Sequence, residues 1–327
     1  MKLVIDVSWY NILTDTQWKL LKTVLDGVII RTSFGVTQDT MADDHVAKCK
    51  EYNLPYAAYH WADPTWDINR QMDAFLKGID LNKPNGIFND YEQYWTDWAA
   101  YMSGNYAQAY TTRFSPTQLN AWYFKWHQQT TLKSPVPVGQ YSADWFISKY
   151  SPTMAPWVTQ GSYWEARYMR YYDSNYLITK KKEWGVPFDI SHVKELSLYG
   201  GVNNGIGRQF ESYLEVKGME RDNWHMDYNT FTDEGFAKLF GGTYIPPIPP
   251  IPPIPPILPA SVAYVVVPIV GVNVRATPSL AGTKIGALSC GMVVDIQTSN
   301  ITLGWGQIVG GRYSGGWVYL ANMKVVN

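Results

Sequence analysis

The stretch IFNDYEQYW at 87–95 places two carboxylates, Asp90 and Glu92, two positions apart at the end of a short apolar run. If the run is a strand, its alternation turns both carboxylates to one face, with Cα atoms about 6.5–7 Å apart. Each negative charge then raises the other's cost of ionisation, and burial among Tyr91, Tyr94 and Trp95 adds to that cost. One carboxyl of such a pair can stay protonated near neutral pH and act as a general acid. D-x-E alone is also common on solvated surfaces, so its meaning depends on the strands around it.

Similar runs recur through the first three-quarters of the chain. Strands are expected at Leu3 to Val7, Gly27 to Arg31, Tyr56 to His60, Gly86 to Asp90, Val136 to Tyr141, Tyr163 to Arg167, Ile206 to Glu211 and Trp224 to Tyr228. Helical patterns fall between them at Thr14 to Leu25, Asp39 to Tyr52, Asp67 to Lys77 and Pro116 to Thr130. The last is introduced by Ser115 as cap and Pro116 in the first turn. This alternation predicts an α/β catalytic domain over 1–243, a parallel sheet or (β/α)-barrel. The strands end in polar residues: Asp6 and Ser8, Arg31, Tyr59 and His60, Asp90 and Glu92, Tyr141, Glu165 and Arg167, Gln209 and Glu211, Asp227. In a barrel that end carries the active site, so one shared pocket is expected.

The chain has 327 residues with a formal net charge of −1 and 17% charged residues. No basic face is dense enough to follow phosphates, which argues against nucleic acid as a partner. No run of about 18 apolar residues suggests a membrane span. The start, MKLVIDVSWY, is too short in apolar residues for a signal peptide. The chain is therefore expected to be made in a cytoplasm and to reach its place of action by release. Cys49 and Cys290 lie far apart and have no metal-ligand spacing. Trp and Tyr are abundant, at 15 and 24, and their flat faces with polar edges suit sugar rings as well as core packing.

The segment IPPIPPIPPIPPILP at 245–259 repeats every three residues. Proline excludes helix and central strand, and the period matches polyproline II, so a spacer about 45 Å long is expected over 244–259. Beyond it, 260–327 reads as a small all-β barrel, with strands at Ala263 to Ile269, Val272 to Arg275, Met292 to Gln297 and Gly316 to Leu320. VNVRATPS at 272–279, GTKIGALSCGMVV at 282–294, WGQI at 305–308 and GGWVYLANM at 315–323 resemble the bacterial SH3-like (SH3b) domain. That resemblance implies a module that binds cell-wall peptide or polymer.

Metalloprotease, serine-hydrolase, Walker and dinucleotide motifs are absent from the sequence, and the histidines have no ligand spacing to one another. No metal or cofactor is expected. His225 and Asp227 could pair on a metal, although a hydrogen-bonded histidine is the simpler reading.

Taken in order, IDVSWYN (5–11), VIIRTSFG (28–35), LPYAAYHWADP (54–64), NDYE (89–92), VGQYSADWF (138–146), YWEARY (163–168), RQFES (208–212) and MDYNTF (226–231) resemble glycoside hydrolase family 25, the N-acetylmuramidase type of lysozyme. With the SH3-like tail, the layout is that of a phage endolysin. The resemblance implies a (β/α)-barrel that cuts the β-1,4 bond between N-acetylmuramic acid and N-acetylglucosamine in bacterial peptidoglycan. Glu92 then matches the general acid/base and Asp90 its partner carboxylate, with Asp6 and Asp227 flanking the pocket floor. Tyr59, Tyr141 and Arg167 are expected to touch substrate, and Trp61, Asp63, Trp164 and Gln209 to line the cleft. Asp90 could be a covalent nucleophile or could orient the substrate's N-acetyl group; either route retains configuration. The pattern departs from the family at Arg208-Gln209-Phe210, where Trp-Gln-Tyr is usual, and in long segments at 94–114 and 169–204. A non-catalytic glycan-binding protein on a retained barrel is the alternative, and a hydrolase of another N-acetylated glycan is a third reading. The oligomeric state is left open.

Overall fold

A computed structural model describes residues 1–199, 201–203, 205–241, 261–266, 271–302, 304–310 and 312–325. The chain divides into two compact units, Met1–Pro246 and Pro247–Asn327. The expected spacer at 244–259 lies outside the described residues.

The first unit is a closed eight-stranded barrel. Its strands are β1 (Lys2–Val7), β2 (Gly27–Phe34), β4 (Tyr56–Trp61), β5 (Ile87–Asp90), β6 (Val138–Ala143), β7 (Tyr163–Ala166), β8 (Gly207–Glu211) and β9 (Asp227–Phe231). A two-residue strand β3 (Thr37–Gln38) hangs on β2, and pairing of β1 with both β2 and β9 closes the ring. The helices Asp15–Leu21 and Pro116–Lys133 begin at Thr14 and Ser115, each with a reciprocal capping box. Among the described residues no helix is long and apolar enough to cross a membrane.

One expectation is corrected at the last strand. Arg221–His225 forms a 3₁₀ turn, and β9 starts only at Asp227 and runs antiparallel to both β1 and β8. A parallel return needs a crossover to the far end of the sheet, usually through a helix. The chain between β8 and β9 stays at the mouth and comes straight back. Asp227 is thus the first residue of its strand, yet it stands at the same end as the last residues of the others.

Alternation along each strand builds the interior in layers. Phe88, Trp164 and Phe231 meet inside the barrel, with ring centroids 5.0 Å apart for Phe88–Trp164 and 6.0 Å for Trp164–Phe231. Glycines make room for them: a Cβ on Gly139 would stand 2.5 Å from the Phe88 ring, and one on Gly207 2.4 Å from Phe231. Two residues further towards the mouth, the same strands carry Asp90, Tyr141, Gln209 and Asn229. Each aromatic buried in that lower layer contributes on the order of 2–3 kcal/mol, which supports a polar layer above it.

The second unit is a seven-stranded antiparallel sheet that fits an SH3-like domain. Its strands are β10 (Ser261–Val266), β11 (Val272–Arg275), β12 (Lys284–Leu288), β13 (Val293–Thr302), β14 (Trp305–Val309), β15 (Trp317–Tyr319) and β16 (Met323–Val325). Val272, Val274, Leu288, Ile296, Ile308, Val318 and Met323 form its core. Residues 267–269 of the expected first strand lie outside the described residues.

Candidate active site

Four carboxylates face one another electrostatically at the barrel mouth. Asp6 and Asp90 are buried, with 6% and 4% exposure, whereas Glu92 and Asp227 keep partial access to solvent. Asp6 Oδ2 accepts hydrogen bonds from Gln209 Nε2 at 3.0 Å and Asn229 Nδ2 at 2.8 Å. Gln209 Oε1 in turn accepts from the hydroxyls of Tyr141 and Tyr168, both at 2.8 Å. Trp164 Nε1 donates to Asn229 Oδ1 at 3.0 Å, which turns the Asn229 amide nitrogen towards Asp6. Two neutral donors, from β8 and β9, therefore converge on one carboxylate, each oriented by a donor from β6 or β7.

Burial pushes all four carboxyls upward. Asp6 rises to about 6, because burial outweighs the bonds from Asn229 and Gln209 and the nearby Arg31 charge. Glu92 rises to about 7, from burial first and then the charge of Asp6. Asp90 is held well above the ordinary carboxylate range by burial, then by Glu92 and Asp6. Asp227 is raised likewise by burial, then by Asp6 and Glu92. Asp90 Oδ1 is buried with no hydrogen-bond partner, so its ionised form lacks the donors that would favour it. The group can hold protons near neutrality and release them when a donor or a developing positive charge arrives. Among the described residues, no three His, Cys, Asp or Glu side chains are arranged to hold a metal ion.

Arg31, which the strand pattern placed at the mouth without a role, supplies the opposing charge. Its Nε bonds Asp39 Oδ2 at 2.7 Å, Nη2 has no hydrogen-bond partner, and its charge favours ionised Asp6, Asp90 and Glu92. Tyr59 is buried beside Arg31 and within the field of Asp6, Asp90 and Asp227. Gln93 clamps two expected cleft residues, accepting from Trp61 Nε1 at 3.2 Å and donating to Asp63 Oδ1 at 2.8 Å. Asp63 also accepts from the Thr65 amide at 2.8 Å and its hydroxyl at 2.6 Å.

One expected position differs. Trp164 is 2% exposed inside the barrel, so it supports the floor through Asn229 and does not line the cleft. It is the inward residue of the lower layer on β7, and the adjacent rings cover it. The Arg167 guanidinium lies 3.8 Å from Asp144 and 4.0 Å from Glu165 and sits over the Tyr172 ring. The cation that acts on Asp227 is Arg170, three residues on. The departures at Arg208 and Phe210 fall outside the mouth: Arg208 bonds Asp173 Oδ2 at 2.6 Å and Phe210 joins the outer core, while Gln209 between them points inward. His60, held between Ser33 and Gln71, is also an outer-layer residue.

Tyr168, Asn229, Gln93 and Arg170 were not singled out from the sequence. Asn229 had a signal, being two residues from Asp227 on one strand and so on its face. Tyr168 and Gln93 follow strand ends in loops, and Arg170 lies in the one-turn helix Met169–Tyr172, where strand spacing carries no direction. A hollow lined by Leu54, Pro55, Tyr56 and Asn85 opens near strand starts and includes none of these residues.

A closed barrel with buried carboxylates at its mouth, one raised to about 7, is the frame of a glycoside hydrolase. The chain belongs to glycosyl hydrolases family 25, whose family model matches residues 5–186. It is a glycoside hydrolase of the lysozyme family that its motifs resemble. Solved structures similar to it include a glycosyl hydrolase 25 of Streptococcus pneumoniae, described as a virulence factor participating in host cell invasion, at 16% identity and TM-score 0.49 over 74% of this chain and 94% of that one. The catalytic domain of an endolysin from bacteriophage P40 of Listeria monocytogenes aligns at 21% identity and TM-score 0.47, covering 74% and 98%. The bacterial lysozyme of Streptomyces coelicolor aligns at 15% identity and TM-score 0.48, covering 74% and 98%. No curated protein matches the chain.

Proposed function

We propose that this enzyme is a peptidoglycan muramidase that cleaves the β-1,4 bond between N-acetylmuramic acid and N-acetylglucosamine, with Glu92 as general acid/base and Asp90 assisting. The observation that carries the reading is the placement of Glu92: a carboxyl raised to about 7, with partial access to solvent, beside the buried Asp90. Glu92 donates its proton to the glycosidic oxygen as the C1–O bond breaks. The carbonyl oxygen of the substrate's own N-acetyl group bonds to C1 and closes a ring. Asp90 Oδ1, which lacks a partner in the free enzyme, accepts the amide N–H and takes up the positive charge that develops there. Water then attacks C1 and gives a proton to Glu92, and configuration is retained. Asp6 and Asp227 flank the pocket floor. Tyr59, Tyr141 and Gln209 contact or shape the bound sugar, with Trp61, Asp63 and Arg167 further along the cleft.

On this reading the enzyme is an endolysin-like protein. It acts at the bacterial wall after release from the cytoplasm, and residues 260–327 tether it to wall peptide or polymer. Purified enzyme should release new reducing ends from peptidoglycan, and mass spectrometry should find them on muramic acid. Reducing ends on glucosamine, or none from several wall types, would sink the assignment. Removal of 260–327 should weaken wall binding more than turnover on small soluble fragments.

A further inference from the structure

The segment between β5 and the helix Pro116–Lys133 is longer than the family pattern, and its aromatic residues have no part in the chemistry above. It is a built structure. Its base is closed by a bridge between Trp95 and Arg113, by the Thr96 amide on Thr112 O at 2.9 Å, and by the Phe114 amide on Tyr94 O at 3.0 Å. Two short helices, Trp98–Met102 and Tyr106–Thr111, are capped by Asp97 and Asn105 and anchored by buried Trp95, Ala100 and Ala109. The rings form a continuous series. Trp95 stacks on Tyr101 at 4.3 Å and 13°, Trp98 stacks on Trp95 at 5.6 Å and 24°, and Trp98 also stacks on Phe34 of β2 at 6.3 Å and 27°. Burying rings this well would serve the core alone, yet Trp98 is 41% exposed and Tyr106 52%.

We propose that this aromatic platform, led by Trp98, binds sugar rings of the glycan strand beyond the scissile bond, so that the enzyme favours long strands over short ones. The proposal rests on the muramidase reading. Continuity with the site supports it. Trp95 follows Glu92 by three residues, and the Phe34 ring lies 5.1 Å from the Arg31 guanidinium that faces the carboxylates. The Glu92 charge also reaches the Tyr101 hydroxyl, which burial chiefly pushes up. Chemistry selects the occupant. From 94 to 112 the sole charged side chain is Asp97, and it is engaged in capping, with the Ala100 amide at 2.9 Å. A surface of flat rings with hydroxyl and indole edges, with Arg113 the one cation at its base, suits the apolar C–H faces and hydroxyl rims of pyranoses.

The test uses the full chain and a ladder of purified, peptide-free glycan strands of increasing length. In the wild type, kcat/KM should climb with length. In Trp98→Ala the climb should flatten, with KM for long strands up about tenfold, the loss of one contact of about 1.4 kcal/mol, and kcat kept. Trp98→Phe should restore most of the length dependence, and circular dichroism should show both variants folded. Binding is read separately by fluorescence titration of long strands into Glu92→Gln with and without Trp98→Ala. Equal losses at all lengths, unchanged length dependence, or a Trp98-dependent self-association seen by sedimentation would overturn the platform. If no strand is hydrolysed but long strands bind in a Trp98-dependent way, the muramidase reading fails and the platform stands.

Discussion

Asp6 and Asp227 stand directly opposite each other across the antiparallel β1–β9 pair. Like charges so placed repel: Asp227 is raised by burial and then by the charge of Asp6, while Asp6 itself is raised by burial. The fold therefore maintains an unfavourable arrangement at its mouth, and the barrel layer beneath it supplies the stability that offsets it.

That relationship makes Asp227→Asn stabilising. A carboxyl raised in the folded state penalises its ionised form, so the penalty is absent below the unfolded pKa, grows as pH rises from there to the folded value, and is constant above it. The melting temperature of Asp227→Asn should exceed wild type by a margin that widens between pH 4 and pH 8. By the same linkage, wild type should lose stability over that span. A shift of about two units, as at Asp6, corresponds to about 3 kcal/mol at most. A margin that shrinks with rising pH would refute the assignment of repulsion.

Glu92→Gln should lower kcat by about 10²–10⁴-fold while the melting temperature is unchanged or higher. In the wild type, the alkaline limb of kcat/KM should fall with a midpoint at about 7, because the proton donor is lost there. A limb that persists at that pH in other active-site variants and moves only with changes around Glu92 identifies the group.

Asn229→Ala removes a donor from Asp6 and leaves Trp164 Nε1 buried without an acceptor. The expected destabilisation is about 2–3 kcal/mol by denaturant titration. Asp6 should also hold its proton to higher pH than its present value of about 6, which carbon-detected NMR titration of the carboxyl would follow.

Gly139→Ala should destabilise the barrel by about 1–3 kcal/mol, since the new Cβ would meet the Phe88 ring at 2.5 Å. Combining it with Phe88→Leu should recover part of that loss, and strict additivity of the two changes would argue against direct contact.

Much of the fold was legible because strand and helix periods are written locally. The eight barrel strands were anticipated near their observed places, and Asp6, Asp90 and Glu92 were recognisable as strand-end carboxylates. What escaped was direction. The reversal of β9 depends on where the connection after β8 lies in space, and the role of Trp164 depends on which neighbours cover it. Gln209, Asp227 and Asn229 also fall beyond the residues 5–186 matched by the family model; closure of the ring is what joins them to Asp6.

The sequence by itself determined the alternation of elements and the acidic residues at the strand ends, because these follow from periodicity within a few neighbouring residues. Tertiary structure alone decided which carboxylates meet, that Asp6 is held by Asn229 and Gln209 while Asp90 Oδ1 stays unpartnered, and how far each is desolvated. Those properties arise from groups more than 200 positions apart brought within 3 Å, and burial and charge act through space.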